Sequence, residues 1–124
     1  MDREQMVIWA AGFFDGEGSV GLFRQRAGGK VMTLRIRVGQ RIPEPLTRFV
    51  LLWGGTIRHW PSKEGRGEFY EWSKTSHPSF EVLLEMEPYL TVKLPHVQVA
   101  RDFMSGVGKR GDTLVPGSGN VGLP

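Results

Sequence analysis

Residues 2–18 constrain the fold of this chain more than any other stretch. Met6, Trp9, Ala10, Phe13 and Phe14 recur at helical spacing, which predicts a helix with one apolar face. Asp2 is placed to cap its start, and Gln5 stands three residues later, as a capping box requires. Gly18 is expected to stop it by adopting a positive φ. Two features break local rules. Gly12 and Gly16 lie four apart on one face, and each glycine lowers helix stability by about 1 kcal/mol relative to alanine. Asp15 and Glu17 add negative charge at a C-terminus whose dipole is already negative. Such conflicts concentrate at functional or strained sites.

One explanation covers both. Glycines four apart clear a helix face, so that a second helix can approach closely. A carboxylate at the crowded end is tolerable when a divalent cation binds there. Two copies of the helix about a twofold axis would bring two Glu17 carboxylates together, giving a symmetric, oxygen-rich metal site. Asp15 and Glu17 exclude a membrane span for this helix.

Residues 10–18, Ala-Ala-Gly-Phe-Phe-Asp-Gly-Glu-Gly, resemble the nine-residue signature of the LAGLIDADG homing endonucleases. Ala11, Gly12, Phe14, Asp15, Glu17 and Gly18 match in identity or close chemistry, whereas Ala10, Phe13 and Gly16 are looser. The resemblance implies a dimer interface through Ala11, Gly12, Asp15 and Gly16. It implies that Glu17 binds Mg²⁺ or Mn²⁺, with the Gly16 carbonyl as a second oxygen ligand. The motif occurs once, as in the single-motif members, which act as homodimers on pseudo-palindromic double-stranded DNA.

Charge distribution points the same way. The net charge is only +3, but between Gly18 and Lys63 nine bases face one acid, Glu44. Such a basic stretch is the electrostatic footprint of a nucleic-acid binder. The chain has no cysteine and no run long enough to span a membrane, and its first residues lack a secretion signal; an intracellular setting is expected.

Taken in order, residues 19–26 and 31–40 read as strands joined by a glycine turn. Val20, Leu22, Leu34, Ile36 and Val38 would face the core. Arg24, Gln25, Arg26, Thr33, Arg35, Arg37 and Arg41 would supply a DNA-facing surface, since a two-stranded ribbon fits the major groove. Pro43 to Gly54 predicts a helix carrying Leu46, Phe49, Val50 and Trp53. A short strand from Thr56 to Trp60 would add Arg58 and Trp60 to the basic face, and Lys63 follows in a turn. Residues 68–75 read as a strand of unclear register, because apolar residues fall on both faces. Helices are expected from Ser76 and from Pro95.

The resulting order is helix, two strands, helix, two strands, helix, helix: an α+β fold with one four-stranded antiparallel sheet. It matches the α-β-β-α-β-β-α core of the LAGLIDADG endonucleases, whose sheet forms a DNA-binding saddle. Residues 1–104 are expected to form this domain, and 105–124 a glycine-rich tail.

Phosphodiester hydrolysis needs a metal, a positioned water and stabilisation of developing charge. The resemblance implies that Gln40, at the end of the basic strand, orders water. It also implies that Lys93, which follows Pro88-Tyr89-Leu90, lies near the cleaved phosphate. A further basic site residue is not evident: Arg41 adjoins Gln40, but Pro43-Glu44-Pro45 interrupts the alignment. His59, His77 and His96 show no ligand or nucleophile–base spacing. The function these features imply is a homodimeric, metal-dependent, site-specific DNA endonuclease. The competing readings are a non-cleaving nucleic-acid binder on the same scaffold, such as an intron-splicing maturase or a regulator, and an unrelated small α+β interaction domain. Retention of Glu17 favours the enzyme.

Overall fold

The computed structural model describes residues 1–24, 28–61 and 67–107. Helix α1 (Arg3–Glu17) begins with the expected capping box: the Asp2 carboxylate accepts the Gln5 N–H at 2.8 Å, and the Gln5 side chain accepts the Asp2 N–H at 3.0 Å. Val7, Ala10, Ala11 and Phe14 are buried, with Met6, Trp9 and Phe13 packed partly buried against the same core.

Gly18 ends α1 for a different reason from the one expected. Its φ of −84° and ψ of 167° are extended, and its N–H donates to the Phe14 carbonyl. What excludes a side chain there is the Phe14 ring, which lies where a Cβ on Gly18 would be. The backbone passes directly from helix into strand with no loop between them.

Strands β1 (Gly18–Arg24), β2 (Met32–Gln40), β3 (Ile57–Trp60) and β4 (Phe69–Thr75) form one antiparallel sheet in the order β1-β2-β4-β3. Alternation places Leu34, Ile36 and Val38 on the core face, all fully buried. Trp72 settles the register of β4, which the sequence leaves ambiguous. It pairs opposite Val38 and Ile57, is fully buried, and donates from its indole nitrogen to the Gly54 carbonyl at 2.9 Å. Gly54 ends helix α2 (Glu44–Trp53) with φ of 75°, a left-handed conformation that glycine adopts without strain.

Helices α1, α2, α3 (Ser76–Met86) and α4 (Leu94–Val107) all contact the sheet, and the buried apolar residues form one core. A ring cluster of Trp9, Phe13, Phe49, Trp53 and Trp72 joins α1, α2 and β4, with centroids 5.0 to 6.1 Å apart. A short 3₁₀ turn, Glu87–Tyr89, leads from α3 towards α4. Helix α4 continues to Val107, beyond residue 105, where the glycine-rich composition predicts the tail to start. Residues 108–124 of that tail lie outside the described residues. Among the described residues no helix is long and apolar enough to cross a membrane.

Candidate nucleic-acid interface and cleavage site

Two local features meet at one end of the sheet: the end of α1 and a face of alternating arginine and aromatic side chains. On β2, Arg35 and Arg37 point away from the core, between buried Leu34, Ile36 and Val38. Arg35 stacks on Phe23 of the paired strand, its guanidinium carbon 4.5 Å from the ring centroid. Partial burial, and then the neighbouring Arg37, pull the Arg35 pKa down from the ordinary arginine value. An arginine nevertheless stays charged, and the stack holds its fork in one orientation.

At the far side of the sheet Arg58 stacks on Trp60 at 4.6 Å. Trp60 pairs with Phe69, and both rings are exposed, by 45% and 41%. The Phe69 ring lies across the backbone of Gly39, where a Cβ on Gly39 would clash with it. This face therefore presents oriented guanidinium groups between flat apolar surfaces, a combination suited to phosphates and base edges.

The remaining residues expected to contact DNA differ in placement. Arg24, Arg37, Arg41 and Arg58 are exposed. Arg41 lies against Gly67, in a depression of about 480 Å³ that also borders Gln40, Trp60 and Phe69. Thr33 is on the expected face, but it is only 6% exposed and is not open to a duplex as it stands. It pairs directly with Phe23 across the β1–β2 ladder. Gln25, Arg26 and Lys63 lie outside the described residues.

The strand pairing relates Glu17 to Gln40. Gly18 pairs with Val38, so Glu17 is one residue before that pair and Gln40 two residues beyond it. Both therefore lie at the sheet end where β1 starts and β2 finishes, offset by about one residue, roughly 3.3 Å, along the strand direction. Gln40 is half-buried, on the core-facing side of β2 and opposite Tyr70. Lys93 comes to the same end from the other side of the fold. Its ammonium donates to the Asp15 carbonyl in the last turn of α1, at 3.1 Å. Glu17 is exposed, and no hydrogen bond or ion pair engages it among the described residues.

The face expected to pack against a second copy is partly corrected. Gly12 and Gly16 are exposed, and a Cβ built on either meets nothing within 4 Å. Ile8, one turn before Gly12, is 45% exposed. Ala11 is not on this face. It is fully buried in the chain's own core, because it falls on the same side of α1 as Val7 and Phe14. The Asp15 side chain is engaged within its own chain as well: its two oxygens accept the Thr91 N–H at 2.7 Å and the Lys93 N–H at 3.0 Å.

The donor chemistry fits a sparse Mg²⁺ site. No group of three or more His, Cys, Asp or Glu side chains converges among the described residues. One chain therefore offers the Glu17 carboxylate, with the remaining positions left to water, phosphate or a second copy; Mg²⁺ commonly binds in this manner. His96, in the first turn of α4, has its Nδ1 buried with no partner among the described residues; burial and then Lys93 lower its pKa. His59 stacks on Tyr70 at 4.5 Å and hydrogen-bonds Glu68. Sequence reasoning missed Phe23, Phe69 and the bonding of Asp15. Phe23 alternates with Val20 and Leu22 and so falls on the outer face, but an aromatic there has no role evident from sequence, while the Asp15 bonds span some 76 residues and leave no local signal.

No protein-family model matches the chain, and no curated protein does. Solved structures do. The chain has the fold of the LAGLIDADG homing endonucleases. It is similar to the homing endonuclease I-CvuI, solved with its target in the presence of calcium, with 20% identity and a TM-score of 0.71 over 89% of this chain and 72% of that one. It is similar to the group I intron-encoded homing endonuclease I-CeuI complexed with DNA, with 19% identity and a TM-score of 0.67 over 85% of this chain and 56% of that one. The LAGLIDADG meganuclease I-CpaMI, bound to uncleaved DNA, matches with 21% identity and a TM-score of 0.66 over 85% of this chain but only 37% of its own length.

Proposed function

We propose that this protein is a homodimeric, metal-dependent, site-specific double-strand DNA endonuclease. What supports the reading is that Glu17 and Gln40 border one end of a sheet whose outer face is basic and aromatic, while Lys93 bonds the carbonyl of Asp15, two residues before Glu17. The DNA complexes of its structural neighbours support it.

The sheet face binds the duplex. Arg24, Arg35, Arg37, Arg41 and Arg58 neutralise phosphates or read base edges, and the oriented Arg35 is the best placed for a bidentate contact to guanine. Gly12 and Gly16 admit the same helix of a second copy, which places a second Glu17 beside the first. Glu17, with the Gly16 carbonyl, would hold Mg²⁺ or Mn²⁺; when bound, the ion neutralises charge on the scissile phosphate and lowers the pKa of bound water. Gln40, an uncharged donor and acceptor, orients the attacking water. Lys93 presents an ammonium to the phosphate as charge develops there. Two such sites, one per strand, cut both strands of a target that shares the dimer's symmetry.

The test is a cleavage survey on a randomised duplex library, with and without Mg²⁺. Cleavage of both strands at a recurring, near-symmetric sequence, only with divalent metal, is the expected result. Tight, salt-sensitive binding to duplex without cleavage in any divalent metal would replace this reading with a non-cleaving DNA binder.

A further inference from the structure

Helix α1 has acidic residues and no basic residue in its last turn. A cation at a helix C-terminus offsets the dipole and can bond the carbonyls that the helix leaves free. Here that cation arrives from 78 residues away: Lys93 Nζ donates to the Asp15 carbonyl at 3.1 Å. The contact is reciprocal. Both Asp15 carboxylate oxygens accept backbone N–H groups of the 91–93 segment, from Thr91 at 2.7 Å and Lys93 at 3.0 Å.

Among the described residues, the other contacts that hold the segment lie at its ends. Leu90, 5% exposed, anchors it to the core, and the Lys93 carbonyl accepts the Val97 N–H at the start of α4. Thr91 and Val92 are exposed, Val92 by 61%. Besides the Asp15 carboxylate, only the long Lys93 side chain, through the Asp15 carbonyl, and Tyr89, through Glu4, bond this stretch to α1 among the described residues, and neither holds the 91–93 backbone itself. Glu17 follows Asp15 by two residues on the same backbone. Through one residue, Asp15, the lysine is thus held in register with the candidate metal carboxylate.

We propose that Asp15 is a positioning residue for cleavage: it acts through Lys93, fixing the ammonium against the Glu17 end of α1 rather than contacting DNA or a partner helix. This rests on the endonuclease reading above. Misplacing a reacting group by about 1 Å can cost on the order of a hundredfold in rate. Asp15→Asn keeps the shape, but its amide nitrogen cannot accept, so one of the two N–H bonds is lost.

The experiment measures single-turnover cleavage and DNA affinity for wild type, Asp15→Asn, Lys93→Ala and the double variant, on a duplex recovered from the library survey. Asp15→Asn is expected to slow cleavage by roughly tenfold to a hundredfold with DNA affinity unchanged. The double variant should be no slower than Lys93→Ala alone, because the two residues act as one unit. If Asp15→Asn does not fold, Asp15→Glu keeps both acceptor oxygens and is compared in the same way; its slowing should also vanish in the Lys93→Ala background. Rate losses that multiply, or a fall in affinity that matches the fall in rate, overturn the role of Asp15. Wild-type protein that cleaves nothing, or Lys93→Ala that cleaves at the wild-type rate, overturns the endonuclease reading or its use of Lys93 instead.

Discussion

The Phe14 ring occupies the space that a side chain on Gly18 would need. Gly18 is extended, a conformation open to any residue, so its glycine identity follows from contact and not from backbone freedom. Phe14 is fully buried and cannot swing outward without opening the core between α1 and the sheet. Gly18→Ala should therefore lower unfolding stability by about 1–3 kcal/mol, the usual range for an overpacked core. Urea unfolding checks this; an unchanged midpoint would mean that the ring moves freely.

Gly12 is the opposite case. A Cβ there meets nothing within the chain, so Gly12→Leu should leave the monomer folded, and gain about 1 kcal/mol of helix propensity. The same substitution should block close approach of a second α1. Sedimentation is expected to find a micromolar wild-type dimer and a folded Gly12→Leu monomer. A wild-type protein that stays monomeric with DNA, or a Gly12→Leu dimer of undiminished affinity, would contradict the assembly.

On the sheet face, Arg37 is exposed and Arg35 is held by Phe23. Arg37→Ala should weaken binding to all duplexes and reduce the slope of log affinity on log salt by about 0.9 if one phosphate contact is lost. Phe23→Leu keeps every charge but frees the Arg35 guanidinium. It should relax site preference at one position, costing about 1–3 kcal/mol of discrimination, with the salt slope unchanged. Library selection and salt titration separate the two; identical effects from both variants would show that the stack has no part in readout.

Much of this was legible in the sequence, and the limits are physical. The capping box and the alternation of β2 are local patterns, so α1 and the two faces of β2 could be read directly. Gly12 and Gly16 also stood out locally, because they break a helical rule. Ala11 and Asp15 share that motif but have different partners: the core takes one, and the 91–93 segment takes the other. Neighbours along the chain carry no record of such long-range choices. The register of β4 stayed ambiguous because Tyr70 and Phe69 are both apolar. Pairing resolves it, since Tyr70 stacks on His59 while Phe69 covers Gly39.

Away from the site, Arg3 binds Glu85 at 3.0 Å, and Trp53 donates to the same carboxylate at 2.8 Å. Hydrogen bonding from Arg3 above all, and then from Trp53, holds the Glu85 pKa below the ordinary glutamate value, against the opposing effect of partial burial. A depressed folded-state pKa stabilises the fold fully above the unfolded-state pKa, and the benefit is lost as pH falls through the folded one. Both side chains are more than a third exposed, so the benefit is about 1 kcal/mol or less. Glu85→Gln should be less stable than wild type near neutral pH, with the gap closing below about pH 4. A gap that is constant with pH would show that the charge of Glu85 contributes nothing.

The central claim is that Glu17 carries metal-dependent cleavage while the sheet carries binding. Glu17 is exposed and makes no bond to its own chain among the described residues, so Glu17→Gln should leave folding and DNA affinity intact. It removes the charge that a divalent ion requires at the end of α1. The most direct measurement is cleavage of the library-selected duplex by purified wild-type and Glu17→Gln dimers across a Mg²⁺ titration. The account predicts Mg²⁺-dependent double-strand cleavage by wild type and none by Glu17→Gln at equal DNA occupancy. Full cleavage by the Glu17→Gln dimer would contradict it.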